Sequence, residues 1–363
     1  MIVPYEDLAL VNKRFHSVFR KQFDEFLNVG WYILGDGVKT FEDAFATHNQ
    51  MEHCVGVANG LDALILGIMA LQLPRGSEII APANTYIASI LAIIHAGHKP
   101  VLVEPDSATC NIDPSRIESA ITRKTKAIMV VHLYGKCCEM DPILEIARRH
   151  KLKIVEDCAQ AHDATYKGRK AGTFGDIGAF SFYPTKNLGA LGDAGAVLTP
   201  DPAISAYIRK LRNYGSALRY TKDIPGYNSR LDELQAIFLK TKLGALGEIT
   251  RHKRQLANLY LIGLKNRFVK PQVHPDFMDV YHIFNIRCKR RDKLRQYLLE
   301  KGIGTEIHYP IPPYRQKALE KLFPNPDFPI SDTIHQTTLS LPCSYGHTED
   351  QVGYVIDTLN SFG

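Results

Sequence analysis

Between Val55 and Leu211 short apolar runs and helical periods take turns, and this alternation restricts the chain to few folds. Strands are expected at Val55–Ala58, Glu78–Ala81, Pro100–Val103, Ala127–His132, Leu152–Glu156, Ile177–Tyr183 and Ala196–Leu198. Helical spacing fills the intervals after Leu61, over Thr85–Ala96, Pro114–Ile121 and Pro142–His150, and again over Ala203–Leu211. Near-continuous apolar strands separated by helices predict an α/β fold, a large and mostly parallel sheet covered on both faces. At 363 residues the chain is long enough for a second, smaller unit. A large domain over 1–245 (including an N-terminal helix) and a smaller C-terminal α+β domain over 246–363 are expected.

The flanking segments are less regular. Residues 5–27 carry apolar positions at helical spacing, and a second helix is expected from Thr40, with Thr40 and Asp43 as a capping box. Asn213–Arg230 has no clear period, and a long irregular loop in a compact enzyme is usually functional or at an interface. One long helix is expected from Leu231 to about Phe268. Then come a strand over Tyr281–Cys288, a helix over Arg291–Lys301, a strand over Thr305–Tyr309 and a terminal helix over Thr348–Asn360.

Parallel sheets place ligands at the carboxyl ends of their strands, so those ends carry the chemistry. One ends at Glu156-Asp157, a carboxylate pair that is either a cap for the next turn or a functional anion. Asn59-Gly60-Leu61 opens a helix whose free N–H groups suit a phosphate, although Asn-Gly is also a plain turn signal. The run Ile177–Phe182 breaks at Pro184 and delivers Lys186, followed by a glycine-rich loop through Gly195. A lysine backed by aromatics at a core strand end loses solvation, which lowers its pKa and prepares an amine nucleophile. Taken alone, the same lysine also suits a solvated loop.

Composition closes other routes. Lys and Arg exceed Asp and Glu by 44 to 38, spread along the chain, and no basic run interleaves with aromatics as nucleic-acid grooves require. The seven cysteines include no CxxC pair, so reduced structural thiols are expected and no metal site. No basic segment precedes an apolar h-region and no run reaches spanning length; a cytoplasmic protein without membrane association is expected. The glycines of Gly189–Gly195 follow the lysine, the reverse of a phosphate-binding P-loop.

Asn59–Leu64, Asn84-Thr85-Tyr86, Glu156–His162, Ser181–Gly195 and Gly226–Ala236, in that order, resemble the DegT-like sugar-nucleotide aminotransferases. These are pyridoxal-phosphate (PLP) enzymes of the aspartate aminotransferase fold, fold type I. The match is continuous over about residues 30–245. The resemblance implies that Lys186 is the Schiff-base lysine and that Asp157 pairs with the pyridine nitrogen of the cofactor. It implies that Tyr86 stacks on the ring and Gln160 reaches the ring oxygen. Gly60, Leu61 and Ser181 would hold the phosphate, and Asn228 would reach the phosphate of a neighbouring subunit, making the active unit a homodimer.

Tyr183, His308 and Tyr309 match positions near the substrate, although His308 also suits a structural role. His162 matches the family's Ala-His, but the glycine that normally follows is here Asp163, which leaves the local turn open. Lysine at 186, where some relatives carry histidine and dehydrate, implies transamination. The wording Tyr183–Asp193 is similar to the subgroup that aminates the C3 ketone of dTDP-linked 6-deoxyhexoses with L-glutamate as donor, in a ping-pong mechanism. The alternatives are a C4 ketone of another nucleotide sugar or a keto-cyclitol and, in another class, a PLP-binding regulator with little turnover. No DNA-binding unit is appended to favour the regulator.

Overall fold

The computed structural model describes residues 1–216 and 221–363. Residues 217–220, part of the irregular stretch anticipated over Asn213–Arg230, lie outside the described residues.

Among the described residues twelve strands form three sheets. In chain order they are β1 (His53–Val57), β2 (Glu78–Pro82), β3 (Lys99–Val103), β4 (Thr125–Val131), β5 (Lys153–Asp157), β6 (Thr165–Tyr166), β7 (Arg169–Lys170), β8 (Ile177–Ser181), β9 (Gly195–Thr199), β10 (Phe277–Met278), β11 (Phe284–Arg287) and β12 (Thr338–Leu341). The main sheet has the order β1-β9-β8-β5-β4-β2-β3. Strands β3, β2, β4, β5 and β8 run parallel to one another, while β9 runs against both β8 and β1. The expected sheet, mixed and mostly parallel, is therefore present.

Period-2 alternation sends successive side chains to opposite faces, and each face has its own core. Ile80, Ile128, Val130, Ile154 and Phe180 pack with Phe41, Phe45, Ile143 and Leu239, from helices Asp36–His48, Met140–His150 and Glu233–Leu243. Ile79, Met129, Val155 and Ile177 pack with Leu64, Ile68, Ile90, Ile93 and Ile208, from helices Gly60–Ala70, Ile87–His95 and Pro202–Leu211. A third core gathers Leu256, Tyr260, Phe284, Leu298, Leu339 and Val355, and Val3 joins it from the start of the chain.

Several elements differ from the sequence expectation. The second helix begins at Asp36, four residues before Thr40, because the Glu233 carboxylate accepts the N–H groups of Gly35, Gly37 and Val38. Thr40 lies inside that helix and donates to the Gly37 carbonyl. The first helix is divided into Leu8–Asn12 and His16–Val29 by a tight turn. The single helix foreseen over Leu231–Phe268 is two, Glu233–Leu243 and Leu246–Gly263, serving the sheet core and the third core respectively. Thr305–Tyr309 is not a strand; it makes one bridge, Glu306 to Ser340. Helix Pro329–Thr337 and strand β12 were not anticipated.

Candidate active site

Strands β5 and β8 are parallel neighbours, with Asp157 opposite Ala179, so their carboxyl ends reach the same edge of the sheet. Asp157 is the last residue of β5, and Ser181 the last of β8. Beyond Ser181 the chain turns, the Lys186 N–H bonding the Tyr183 carbonyl, which aims Lys186 back over the strand ends. Gly60 opens its helix so close to β8 that an added Cβ would lie 2.5 Å from the Ser181 Cβ. At Gly195 an added Cβ would lie 2.3 Å from the Asn59 carbonyl oxygen. Both positions therefore require glycine.

Asn59 caps this helix by accepting the Asp62 N–H at 2.8 Å. Among the described residues the N–H groups of Gly60 and Leu61 have no acceptor. Two free N–H groups at the positive end of a helix, beside the Ser181 hydroxyl, are donors suited to a phosphate.

Asp157 is buried, its Oδ2 accepting from the Ser89 hydroxyl at 2.8 Å and its Oδ1 from the Ala159 N–H at 3.1 Å. Burial pushes its pKa up, and the two donors and the Lys186 charge act against that rise. The Lys186 amine is lowered to about 8, chiefly by burial. Asp157 opposes the shift by attraction and Lys253 adds to it by repulsion. The Lys186 Nζ lies 3.4 Å from His282 Nε2.

Gln160 links two segments: its Oε1 accepts the Tyr134 N–H at 2.6 Å and its Nε2 donates to the Tyr309 hydroxyl at 2.8 Å. The Tyr309 ring lies 4.9 Å from that of Tyr86, whose side chain is half exposed over the cleft. His308 bonds Ser340 Oγ through Nδ1 at 2.8 Å, and burial with the Lys186 charge lowers its pKa to about 4. Tyr183 is exposed. Asn228 is exposed on the irregular loop, paired with Asn213 through the backbone, and among the described residues it bonds none of these groups.

Asp163, the departure from the expected glycine, has φ +68°, the left-handed region that glycine adopts freely. Aspartate tolerates it better than most residues. Here it also pairs with His48 at 2.6 Å and Lys170 at 2.9 Å, so the turn is kept by other means. His162 is buried against Phe180 and Phe182.

Sequence reasoning missed Ser89, His282 and Lys253. Ser89 sits in the first turn of the helix that follows Asn84-Thr85-Tyr86, four positions after Thr85, which was a usable signal. Buried Lys253 donates to Asn187 Oδ1 and the His282 carbonyl, a placement without sequence signature. His132, Glu156 and Cys158 lie within 4.8 Å of one another, close enough to suggest an ion. Each Glu156 oxygen, however, already accepts two N–H bonds, from Phe174 and Gly175 and from Gly172 and His132. The Cys138 N–H donates to His132 Nδ1, so the group is a brace beside Asp157, and Cys138 belongs to it.

These residues fit PLP: a phosphate cradle, an aromatic face at Tyr86, a carboxylate at Asp157 and an amine of lowered pKa. Together with the sheet they define a PLP enzyme of fold type I. The chain belongs to the DegT/DnrJ/EryC1/StrS aminotransferase family, which it matches over residues 14–360, and it is an aminotransferase. It is 48% identical over its whole length, and that of the relative, to dTDP-3-amino-3,6-dideoxy-α-D-galactopyranose transaminase of Aneurinibacillus thermoaerophilus. The solved structure of DesV from S. venezuelae, in complex with a ketimine intermediate, superposes with a TM-score of 0.96 at 41% identity, covering 99% of this chain and 98% of that one. NtdA from Bacillus subtilis, solved with bound cofactor PMP, gives 0.92 at 30%, covering 99% and 84%.

Proposed function

We propose that this aminotransferase moves an amino group from L-glutamate to the C3 ketone of a dTDP-3-oxo-6-deoxyhexose, giving a dTDP-3-amino-3,6-dideoxyhexose. The observation that carries the reading is Lys186, an amine with pKa about 8 at the sheet edge near Asp157. The name of the Aneurinibacillus relative supports the sugar and the position.

Bound PLP supplies a carbonyl that takes up the amino group and a ring that delocalises the electrons left on the substrate carbon. Gly60, Leu61 and Ser181 would hold its phosphate, Tyr86 would cover one ring face, Gln160 would meet the ring oxygen, and Asp157 would keep the ring nitrogen protonated. Lys186 would hold the cofactor through its amine and, when free, would carry the proton that the exchange of the amino group requires. Donor product leaves before the keto sugar enters, so one site serves both halves. Tyr183, His308 and Tyr309 orient the sugar. Asn228, exposed on its loop, reaches the phosphate of a second copy in a homodimer. The large domain spans 1–245, the smaller 246–363, and the enzyme works in the cytoplasm. Among the described residues no helix is long and apolar enough to cross a membrane.

The test is an absorption spectrum of the purified protein with L-glutamate, followed by mass analysis after adding the keto sugar. Loss of the visible cofactor band, release of 2-oxoglutarate and a 3-amino sugar nucleotide are expected. A band that persists with glutamate would overturn the donor assignment, and a regulator without turnover would release no 2-oxoglutarate.

A further inference from the structure

Asp157 is held by two donors of different origin. The Ala159 N–H is local, two residues along the chain. The Ser89 hydroxyl comes from another element, the helix Ile87–His95, and is fully buried. Ser89 has one hydrogen, and the geometry directs it to Asp157 Oδ2. Its contact at 2.7 Å with Thr85 Oγ1 must then be a bond that Thr85 donates. The order of donation is Thr85 to Ser89 to Asp157, through two hydroxyls closed off from solvent. Ser89 lies in the first turn of its helix, where the macrodipole favours an anion. That helix starts directly after Tyr86. One rigid element therefore sets both the aromatic face and the edge of the carboxylate.

We propose that Ser89, backed by Thr85, is the positioning residue that keeps Asp157 ionised and turned toward the cofactor's ring nitrogen. This rests on the reading of Asp157 given under Proposed function. A hydroxyl donated to a carboxylate favours its charged form, and such a bond inside a protein is strong. Without it Asp157 keeps one donor, from the turn directly after β5, while burial still drives it toward the neutral acid.

The experiment measures binding of PLP, and of its 1-deaza analogue in which CH replaces the ring nitrogen, to the full-length chain stripped of cofactor. Both compounds carry the same phosphate and aldehyde, so only the nitrogen contact separates them. Ser89→Ala should weaken PLP by about tenfold to a hundredfold and the analogue by no more than about twofold, as expected for one charge-assisted hydrogen bond. Thr85→Val should act in the same sense, more weakly, and it covers the case in which Ser89→Ala fails to fold. Equal losses for both compounds, or none for either, would overturn the proposal. Asp157→Asn separates the levels. Selectivity there without selectivity in Ser89→Ala removes the role of Ser89 alone. No selectivity in Asp157→Asn removes the nitrogen contact itself, and the proposal with it.

Discussion

Gln160 donates its amide to the hydroxyl of Tyr309 at 2.8 Å, tying the end of β5 to a segment 149 residues further along the chain. The Tyr134 hydroxyl donates to the neighbouring His308 carbonyl, so two bonds hold the His308-Tyr309 segment over the sheet edge. Tyr309→Phe leaves the Gln160 amide buried without its acceptor, a loss of about 1–2 kcal/mol. If the segment orients the sugar as proposed, the expected result is a KM for the keto sugar raised about tenfold, with the glutamate half-reaction nearly unchanged. Steady-state and single-turnover kinetics measure the two separately.

The reactivity of Lys186 should follow its own titration. With a pKa of about 8 against the ordinary 10.5, a usable fraction of the amine is neutral near pH 7. The rate at which the cofactor-free chain takes up PLP covalently should rise about tenfold per pH unit below 8 and level off above it. Lys186→Ala should abolish both covalent uptake and turnover. Stopped-flow absorbance across pH 6 to 10 shows the profile. A plateau reached only near the ordinary lysine value would contradict the lowering.

Lys253 contributes part of that lowering. Its ammonium is buried, bonded to Asn187 and the His282 carbonyl, and repels a charge on Lys186. Lys253→Met removes a like charge, so the Lys186 ammonium becomes more stable and its pKa rises. The uptake profile should move to higher pH with its plateau rate preserved. An unmoved midpoint would show that burial alone sets the value.

The sheet was legible because apolar runs of strand length, alternating with helical periods, leave few arrangements that bury both faces. The placing of Asp157 and Lys186 at one sheet edge was legible because one ends a strand and the other follows a strand of the same parallel set. What escaped depended on partners far away in the chain. The helix at Asp36 starts where Glu233 places its carboxylate, and no local pattern around Thr40 carries that. Thr305–Tyr309 alternates like a strand, yet Pro310, Pro312 and Pro313 offer no N–H to continue a ladder, and only Glu306 pairs. The stretch after Leu231 looked continuous because both halves are apolar at helical spacing. The break near Gly244 lets each half face a different core.

Asp163 shows how a departure from the family pattern is absorbed. Its backbone lies at φ +68°, and its carboxylate is paired with His48 and Lys170. Burial raises the carboxyl pKa, but the bonds to His48 and Lys170 outweigh it and hold the value at about 2. Glycine at this position relieves the backbone but loses both pairs, while alanine loses the pairs and keeps the strain. Asp163→Ala should therefore be less stable than Asp163→Gly by about 1 kcal/mol. The folded pKa lies below the unfolded one, so the carboxylate stabilises the protein above pH 4 and this contribution is lost as pH falls toward 2. The gap between native protein and Asp163→Gly should narrow from pH 7 to pH 3. Thermal denaturation at the two pH values measures it, and a gap that stays constant would assign the stability to the backbone alone.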